Sequence, residues 1–116
     1  MENYEFEKLV PFNMEEMLKY ESNSVVLKHI LNEKTGNIKA LALDYGKVYE
    51  PKPTPFSTFI KIMDGKAELV AANVSTFLKK NDAIIIPGHT EYTMEANERF
   101  KMLSIILKSG SDDFGI

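Results

Sequence analysis

Few residues of this chain could do acid–base or metal chemistry. It has two histidines, His29 and His89, and no cysteine, so thiolate nucleophiles, disulfides and cysteine-ligated zinc are excluded. The stretch IIIPGHTEYTMEAN, residues 84–97, runs apolar into a Pro-Gly turn and then alternates again, with Tyr92 in the second part. The reactive groups that remain are therefore the two imidazoles, five tyrosine phenols, lysine amines and scattered carboxylates.

Composition limits the classes of protein to which the chain can belong. Its 116 residues are 44% hydrophobic and 27% charged, which predicts a single globular domain over residues 1–116. The net charge of -3, with Lys and Arg scattered along the chain, argues against nucleic-acid binding. The chain lacks both an apolar run long enough to span a membrane and a signal peptide in MENYEFEKLVPF, so we expect no membrane association and a cytoplasmic location.

Short apolar and alternating runs dominate the chain and predict a mainly β fold. A single short helix is expected after Asn13, which can cap residues 14–18. Turn signals at Asp64-Gly65 and Ala72-Asn73 predict two hairpins. The predicted strands cover residues 24–31, 38–45, 56–63, 67–71, 74–78, 83–86, 92–96 and 100–107. Eight closely spaced strand segments are typical of a β-sandwich or small barrel.

Two long segments resemble the two sequence motifs of the cupin family. They are GKVYEPKPTPFSTFIKIMDGKAELV and LKKNDAIIIPGHTEYTMEANERFKMLSIIL, and the resemblance extends over residues 36–108. It implies a single-domain jelly-roll β-barrel, with a barrel core over about residues 24–108. We expect the tail, residues 109–116, to be a loose end.

The cupin resemblance also implies a metal site, whose ligand positions are substituted in this chain. Family members hold the ion with two histidines and a glutamate from the first motif and one histidine from the second. The glutamate position falls on Thr58, the first-motif histidines fall within residues 51–54, and the second-motif histidine falls on Tyr92. None of these side chains is a good ligand for a divalent metal. We therefore predict a barrel without a metal site or other cofactor.

No other group of residues has spacing that predicts a metal site. His89 follows a Pro-Gly turn and is expected to be a solvated loop residue. His29 alternates with Leu27 and Leu31 and is expected to be packed and hydrogen-bonded. The remaining candidates, which do not converge by any spacing in the sequence, are Glu50, Glu68 and Glu91.

Without a metal, the predicted barrel interior has the chemistry of a small-molecule pocket. Alternation along the strand places Thr58 on the inner face and Lys61 on the face nearer solvent. Tyr92 could orient a ligand through its hydroxyl, and Lys52 could supply a charge for a carboxylate or phosphate. The predicted lining is Lys52, Phe56, Thr58, Ile60, Ile62, Tyr92 and Met94. The leading hypothesis is a metal-free binding barrel of unassigned ligand.

Two alternatives remain open from the sequence. The first is a metal-independent acid–base enzyme of the sugar isomerase or epimerase type, like some cupins. Tyr92 would be its acid, and Lys52 its base if burial lowers the lysine pKa. The second is a structural or vestigial barrel whose interior is simply packed core. The identity of a ligand or substrate does not follow from the sequence.

Three prolines, Pro51, Pro53 and Pro55, precede the strand of the first motif. Alternate prolines cannot all donate to a sheet ladder, so this stretch is expected on a sheet edge or in a rim loop. It either protects an edge strand from unwanted pairing or holds Lys52 at the mouth of the pocket. The two roles are compatible.

A homodimer is the expected assembly. Small cupins of the resembling kind commonly pair through their N-terminal strands and an outer sheet face, and a large apolar face requires a self-complementary copy. The residues predicted to form the interface are Leu27, Leu31, Phe59 and Met63.

Overall fold

The computed structural model describes residues 6–108. One helix, α1 (Met14–Met17), precedes eight strands. The strands are β1 (Val25–Glu33), β2 (Gly36–Leu43), β3 (Val48–Tyr49), β4 (Thr58–Ala71), β5 (Val74–Lys79), β6 (Ala83–Ile86), β7 (Thr93–Glu95) and β8 (Phe100–Leu107). The predicted mainly β fold is confirmed, and the predicted tail, residues 109–116, lies outside the described residues.

Helix α1 is capped as the sequence predicts. The Asn13 side chain accepts a hydrogen bond of 3.0 Å from the backbone N–H of Glu16, which satisfies one of the free N–H groups of the first turn. Leu18, which follows the helix, is buried against Ala40 and Ala42 on the outer face of β2. No helix among residues 6–108 is long and apolar enough to cross a membrane.

All strand pairs are antiparallel, and β4 joins the two parts of the barrel. The hydrogen-bonded order is β1-β2-β8-β4-β7-β3, and β5 and β6 also pair with β4. The first half of β4 pairs with β6 and β8, and its second half pairs with β5 and β7. At 14 residues, β4 is long enough to run along both sheets, because a strand rises about 3.3 Å per residue.

The predicted hairpin at Asp64-Gly65 is wrong, because the chain does not reverse there. Instead the register against β8 shifts between Ile62 and Asp64, which is a bulge that inserts Met63 and bends the strand. Gly65 has a φ of +76°, and a Cβ on it would lie 2.0 Å from the carbonyl oxygen of Arg99. Glycine is thus needed here because the bent strand β4 continues through this position and its backbone lies in close contact with Arg99 and Phe100.

The predicted hairpin at Ala72-Asn73 is confirmed and joins β4 to β5. Ala71 pairs with Val74 across a two-residue turn, and both turn residues have positive φ, 52° and 62°. Such a turn has the twist that antiparallel strands favour. Asn81, between β5 and β6, takes a left-handed conformation, with a φ of 76°.

Residues from β2, β8 and β4 fill the barrel interior in cross-strand rows. From the end of the barrel nearest Lys108, the rows are Asn37–Ile106–Thr58, Lys39–Ser104–Ile60, Leu41–Met102–Ile62 and Leu43–Phe100–Gly65. The two lower rows are apolar and fully buried apart from Gly65. The two upper rows, which are nearest Lys108, mix polar and apolar side chains. The upper end of the barrel is therefore polar, and the lower end is filled by apolar core.

Candidate functional site

A cavity of about 410 Å³ occupies the polar upper end of the barrel. Its wall consists of inward-facing strand residues together with the loop before β4 and the segment after β6. The lining residues are Asn37, Lys39, Tyr49, Pro51, Lys52, Pro53, Thr54, Thr58, Ile86, Pro87, Thr90, Tyr92, Ser104, Ile106 and Lys108. A concave site with apolar walls and a few polar groups is typical of small-molecule binding.

Three of the residues predicted from the sequence line this cavity: Lys52, Thr58 and Tyr92. Ile60 and Met94 are fully buried in the core cluster, so they support the cavity rather than line it.

The other two predicted lining residues also lie outside the wall. Ile62 is fully buried in the same core cluster, and Phe56 lies half-buried in the loop before β4. The alternation of inward residues was predicted correctly, but the depth at which packed core replaces open cavity depends on all the strands together.

Lys39 and Lys108, which were not predicted from the sequence, line the same cavity. Lys39 lies on the inner face of β2, two residues before the buried Leu41. A lysine that alternates with buried leucines on one face of a strand is a signal that the sequence contained. Lys108 directly follows β8, and only the antiparallel pairing of β8 with β2 brings it close to Lys39.

The cavity wall is strongly cationic. Lys39, Lys52 and Lys108 line it, and its described residues include no aspartate or glutamate. Burial lowers the pKa of Lys39, and the positive charge of Lys108 lowers it further. The cavity therefore carries positive charge without a compensating carboxylate on its wall, which favours an anion.

Two phenols add neutral hydrogen-bond donors to the wall. Burial raises the pKa of Tyr92 to about 12, with a smaller contribution from Tyr49. Burial also raises the pKa of Tyr49. Both side chains are therefore protonated at neutral pH and can donate an O–H to a bound anion.

Asn37 presents an unsatisfied acceptor at the cavity. Within residues 6–108, its Oδ1 is the one buried side-chain polar atom without a hydrogen-bond partner. A buried polar atom without a partner is costly and is rare in folded proteins. A ligand that brings a hydroxyl or N–H group to this wall would satisfy it.

The proline loop is fixed against the turn after β6. The backbone N–H of His89 donates to the carbonyl oxygen of Thr54 at 2.7 Å, and a Cβ on Gly88 would lie 2.3 Å from the carbonyl oxygen of Pro55. Pro51 and Pro53 line the cavity. This arrangement supports the role of the prolines as a preorganised rim that positions Lys52.

The residues of the cavity do not fit a divalent metal ion. Thr58, Tyr92 and the proline loop, which stand where the cupin resemblance predicts metal ligands, line the cavity together with three lysines. These cations would repel a divalent ion. Among the described residues, no three His, Cys, Asp or Glu side chains could hold a metal together.

Both histidines are exposed in the structure. His89 is a loop residue with a φ of 63°, in agreement with its predicted position. The prediction that His29 is packed is wrong. Strand β1 pairs only with β2 and forms the end of the sheet order, so little of the barrel covers it.

Comparisons with known proteins find several solved structures of similar fold. A protein of unknown function from Streptococcus pyogenes superposes with a TM-score of 0.83 at 18% identity, covering 95% of this chain and 98% of that one. A cupin superfamily protein from Desulfitobacterium hafniense has a TM-score of 0.80 at 19% identity, covering 89% and 94% of the two chains. A cupin 2 conserved barrel domain protein from Leptotrichia buccalis has a TM-score of 0.79 at 23% identity, covering 84% of this chain and 47% of that one. No family model matches the sequence, and no curated protein matches it.

Proposed function

Since the chain has the cupin fold, we propose that it is a metal-independent binding protein for a small organic anion. The observation that carries the proposal is the cavity wall, which combines three lysines with no carboxylate among its described residues. Lys39 is desolvated by burial, and a desolvated cation without a counter-charge is costly in the free protein. A bound carboxylate or phosphate would relieve that cost.

The cavity wall can contact both the charged group and the carbon skeleton of such a ligand. Lys52 and Lys108 supply positive charge, and the phenol of Tyr92 supplies a directed O–H. Ile86 and Ile106 offer apolar surface for a carbon skeleton. Charge-assisted hydrogen bonds are roughly twice as strong as neutral ones, so the anionic group would dominate recognition.

Thermal unfolding in the presence of small ligands tests this proposal. We expect one class of carboxylate or phosphate to stabilise the protein by about 2.7 kcal/mol at a hundredfold excess over its dissociation constant, a rise in Tm on the order of 10 °C. Neutral amides of the same acids should have little effect. A chelator should leave the stabilisation unchanged, because no metal takes part.

The matched variants for this screen are Lys52→Met and Lys80→Met. Lys52 lines the cavity, whereas Lys80 is exposed in the turn between β5 and β6. The first substitution should weaken the anion effect, and the second should not. Equal stabilisation by the neutral amides, or its loss on chelation, would refute the proposal.

An acid–base enzyme is the second candidate, favoured by the presence of Tyr92 and Lys52 in one cavity. The phenol is protonated at neutral pH, as an acid must be. Lys52, however, is exposed, so it lacks the burial by which this hypothesis would activate it as a base. Loss of turnover in Tyr92→Phe, with anion binding retained, would distinguish this candidate from simple binding.

We also propose that the protein forms a homodimer through an apolar row on the outer face of the barrel. Cross-strand pairing aligns Leu31, Ile38, Ile105, Phe59 and Ile85 across five strands, and we call these residues the outer row. Leu31 and Phe59 are each 38% exposed, and Ile85 is 66% exposed. Of the other residues predicted for the interface, Leu27 pairs with the inward-facing Leu41 before the bulge in β1, and Met63 lies at the bulge in β4.

Sedimentation velocity tests the dimer with two matched substitutions. Phe59→Asp puts a charge within the outer row, between Ile105 and Ile85, and should give a monomer. Phe77→Asp is the control, because Phe77 is 70% exposed on β5, outside the outer row, and this variant should remain a dimer. A wild-type protein that stays monomeric at micromolar concentration would exclude this assembly.

A further inference from the structure

We propose that Lys39 forms an imine with the carbonyl group of a small oxo acid bound in the cavity. This inference rests on the proposed function, since it assumes that the cavity takes an organic anion. It adds that the anion also carries a ketone or aldehyde, and that one lysine acts as a nucleophile while the others bind charge.

Lys39 differs from the other two cavity lysines in its position. It lies in the second interior row, on a strand, opposite Ser104 of β8, and it is half-buried. Lys52 is an exposed residue of the rim loop, and Lys108 follows the end of β8. A strand residue in a packed row is held more firmly than a loop residue, which suits a group that must attack one atom.

The surroundings of Lys39 raise its share of neutral amine above that of an exposed lysine. The charged or titratable groups that face the cavity with it are Lys52, Lys108, Tyr49 and Tyr92, and its cross-strand partner on β1 is the exposed His29. No carboxylate among the described lining residues stabilises its protonated form. Burial and the charge of Lys108 lower the pKa of Lys39, and such conditions are known to activate lysine as a nucleophile.

The reaction is a condensation without oxidation or reduction. The lone pair of the neutral Lys39 amine attacks the carbonyl carbon, the nitrogen loses one proton, and the carbonyl oxygen takes one proton to give a carbinolamine. The nitrogen loses its second hydrogen as a proton while the C–O bond breaks and the hydroxyl takes a proton to leave as water. One amine and one carbonyl thus give one imine and one water.

Neighbouring side chains can contact the carbinolamine hydroxyl, the carboxylate and the carbonyl oxygen of the reacting oxo acid. Asn37 lies two residues before Lys39 on the same strand face, about 7 Å away along β2, and its unpaired Oδ1 can accept the carbinolamine O–H. Lys108 can hold the carboxylate of the oxo acid. The protonated phenol of Tyr92 can donate to the carbonyl oxygen before attack.

Reductive trapping tests the inference. The full-length protein is incubated with pyruvate, 2-oxobutyrate or 2-oxoglutarate and sodium cyanoborohydride, which reduces an imine to a stable secondary amine. We expect one adduct per chain by intact-mass measurement, located at Lys39 by peptide mapping. The reaction there should be at least tenfold faster than at exposed lysines such as Lys80. Labelling distributed over the surface lysines, or no labelling, would refute it.

The Lys39→Arg variant tests imine formation separately from the proposed anion binding, because it keeps the positive charge and removes the nucleophile. The variant should still be stabilised by the oxo acid in thermal unfolding but should form no adduct. Lys108→Met should slow trapping, since the neighbouring charge is lost, whereas Lys80→Met should not. If Lys39→Arg does not fold, peptide mapping of the wild-type adduct decides alone.

The outcomes distinguish the two claims. An oxo acid that stabilises the wild-type protein but is never trapped at Lys39 would overturn the imine and leave anion binding intact. Oxo acids that neither stabilise the protein nor label it, in a screen where no other anion binds, would overturn both.

Discussion

Replacing Gly65 with alanine should lower the free energy of unfolding by about 2–4 kcal/mol. A left-handed φ costs a non-glycine residue about 1 kcal/mol, and Gly65 has a φ of +76°. The new Cβ would lie 2.0 Å from the Arg99 carbonyl oxygen and 2.9 Å from the Cα of Phe100. Both atoms belong to the backbone, so relief of the clash requires β4 and β8 to separate at the bulge. Such overpacking typically costs about 1–3 kcal/mol more.

Urea denaturation of Gly65→Ala and Gly46→Ala separates the two causes. Gly46 has a φ of +85°, but a Cβ on it meets no atom within 4 Å, so its substitution should cost only the conformational term of about 1 kcal/mol. The difference between the variants measures the clash at β8. Equal losses in the two proteins would show that the close approach of β4 to β8 is not as described.

The double substitution Lys39→Met and Lys108→Met should weaken anion binding about 100-fold and still stabilise the free protein. For an anion without a ketone or aldehyde carbonyl group, Lys39 and Lys108 both bind as cations, and each charged hydrogen bond to a ligand contributes about 1.5–3 kcal/mol. The loss of two corresponds to about a 100-fold change or more. The free protein loses a half-buried like-charge pair in exchange for apolar side chains. We expect a gain of about 1 kcal/mol or less, since both lysines are partly solvated.

The pH dependence of stability has a definite sign. The pKa of Lys39 is lower in the folded protein, so the unfolded state binds more protons between that value and the ordinary lysine pKa of about 10.4. Below the pKa that Lys39 has in the folded protein, its lowered pKa reduces the free energy of unfolding by the full amount. This reduction disappears as pH rises toward about 10.4, so this residue makes the protein more stable at higher pH. The double variant should lack this rise.

Calorimetry with the best anion of the thermal screen measures the affinity, and urea denaturation at several pH values measures the stability. Lys80→Met is the control for removal of one surface charge and should change neither quantity by more than about 0.5 kcal/mol. A double variant that binds with wild-type affinity would contradict the proposed site. One that is less stable than the wild type at neutral pH would contradict the repulsion between the lysines.

Local patterns predicted the barrel because its short-range signals agree with the final fold. The alternation through Thr58 and Ile60 and the two-residue turn at Ala72-Asn73 act over neighbouring residues. The Asp-Gly pair at residues 64–65 predicted a hairpin, but the structure has a bulge there. A glycine with positive φ is compatible with either, so the pair alone does not distinguish them. Which of them forms depends on Phe100 and its strand, 35 positions later in the chain.

The site was only partly predictable for the same reason. Motif positions indicated Lys52, Thr58 and Tyr92, which the structure brings to one cavity. Lys39 and Lys108 lie 69 positions apart in the chain, and they meet only through the register of β2 against β8. A single sequence does not specify that register, although the lysine among inward-facing leucines of β2 was visible in it.

The bent strand β4 hydrogen-bonds to β5, β6, β7 and β8, so any local opening that removes β4 detaches four neighbours at once. Partial unfolding is therefore expected first at the described strands that pair with a single neighbour, β1, β3, β5 and β6. Because β2 and β8 are not among them, opening of these strands leaves the pairing of β2 with β8 in place, and with it the spacing between Lys39 and Lys108.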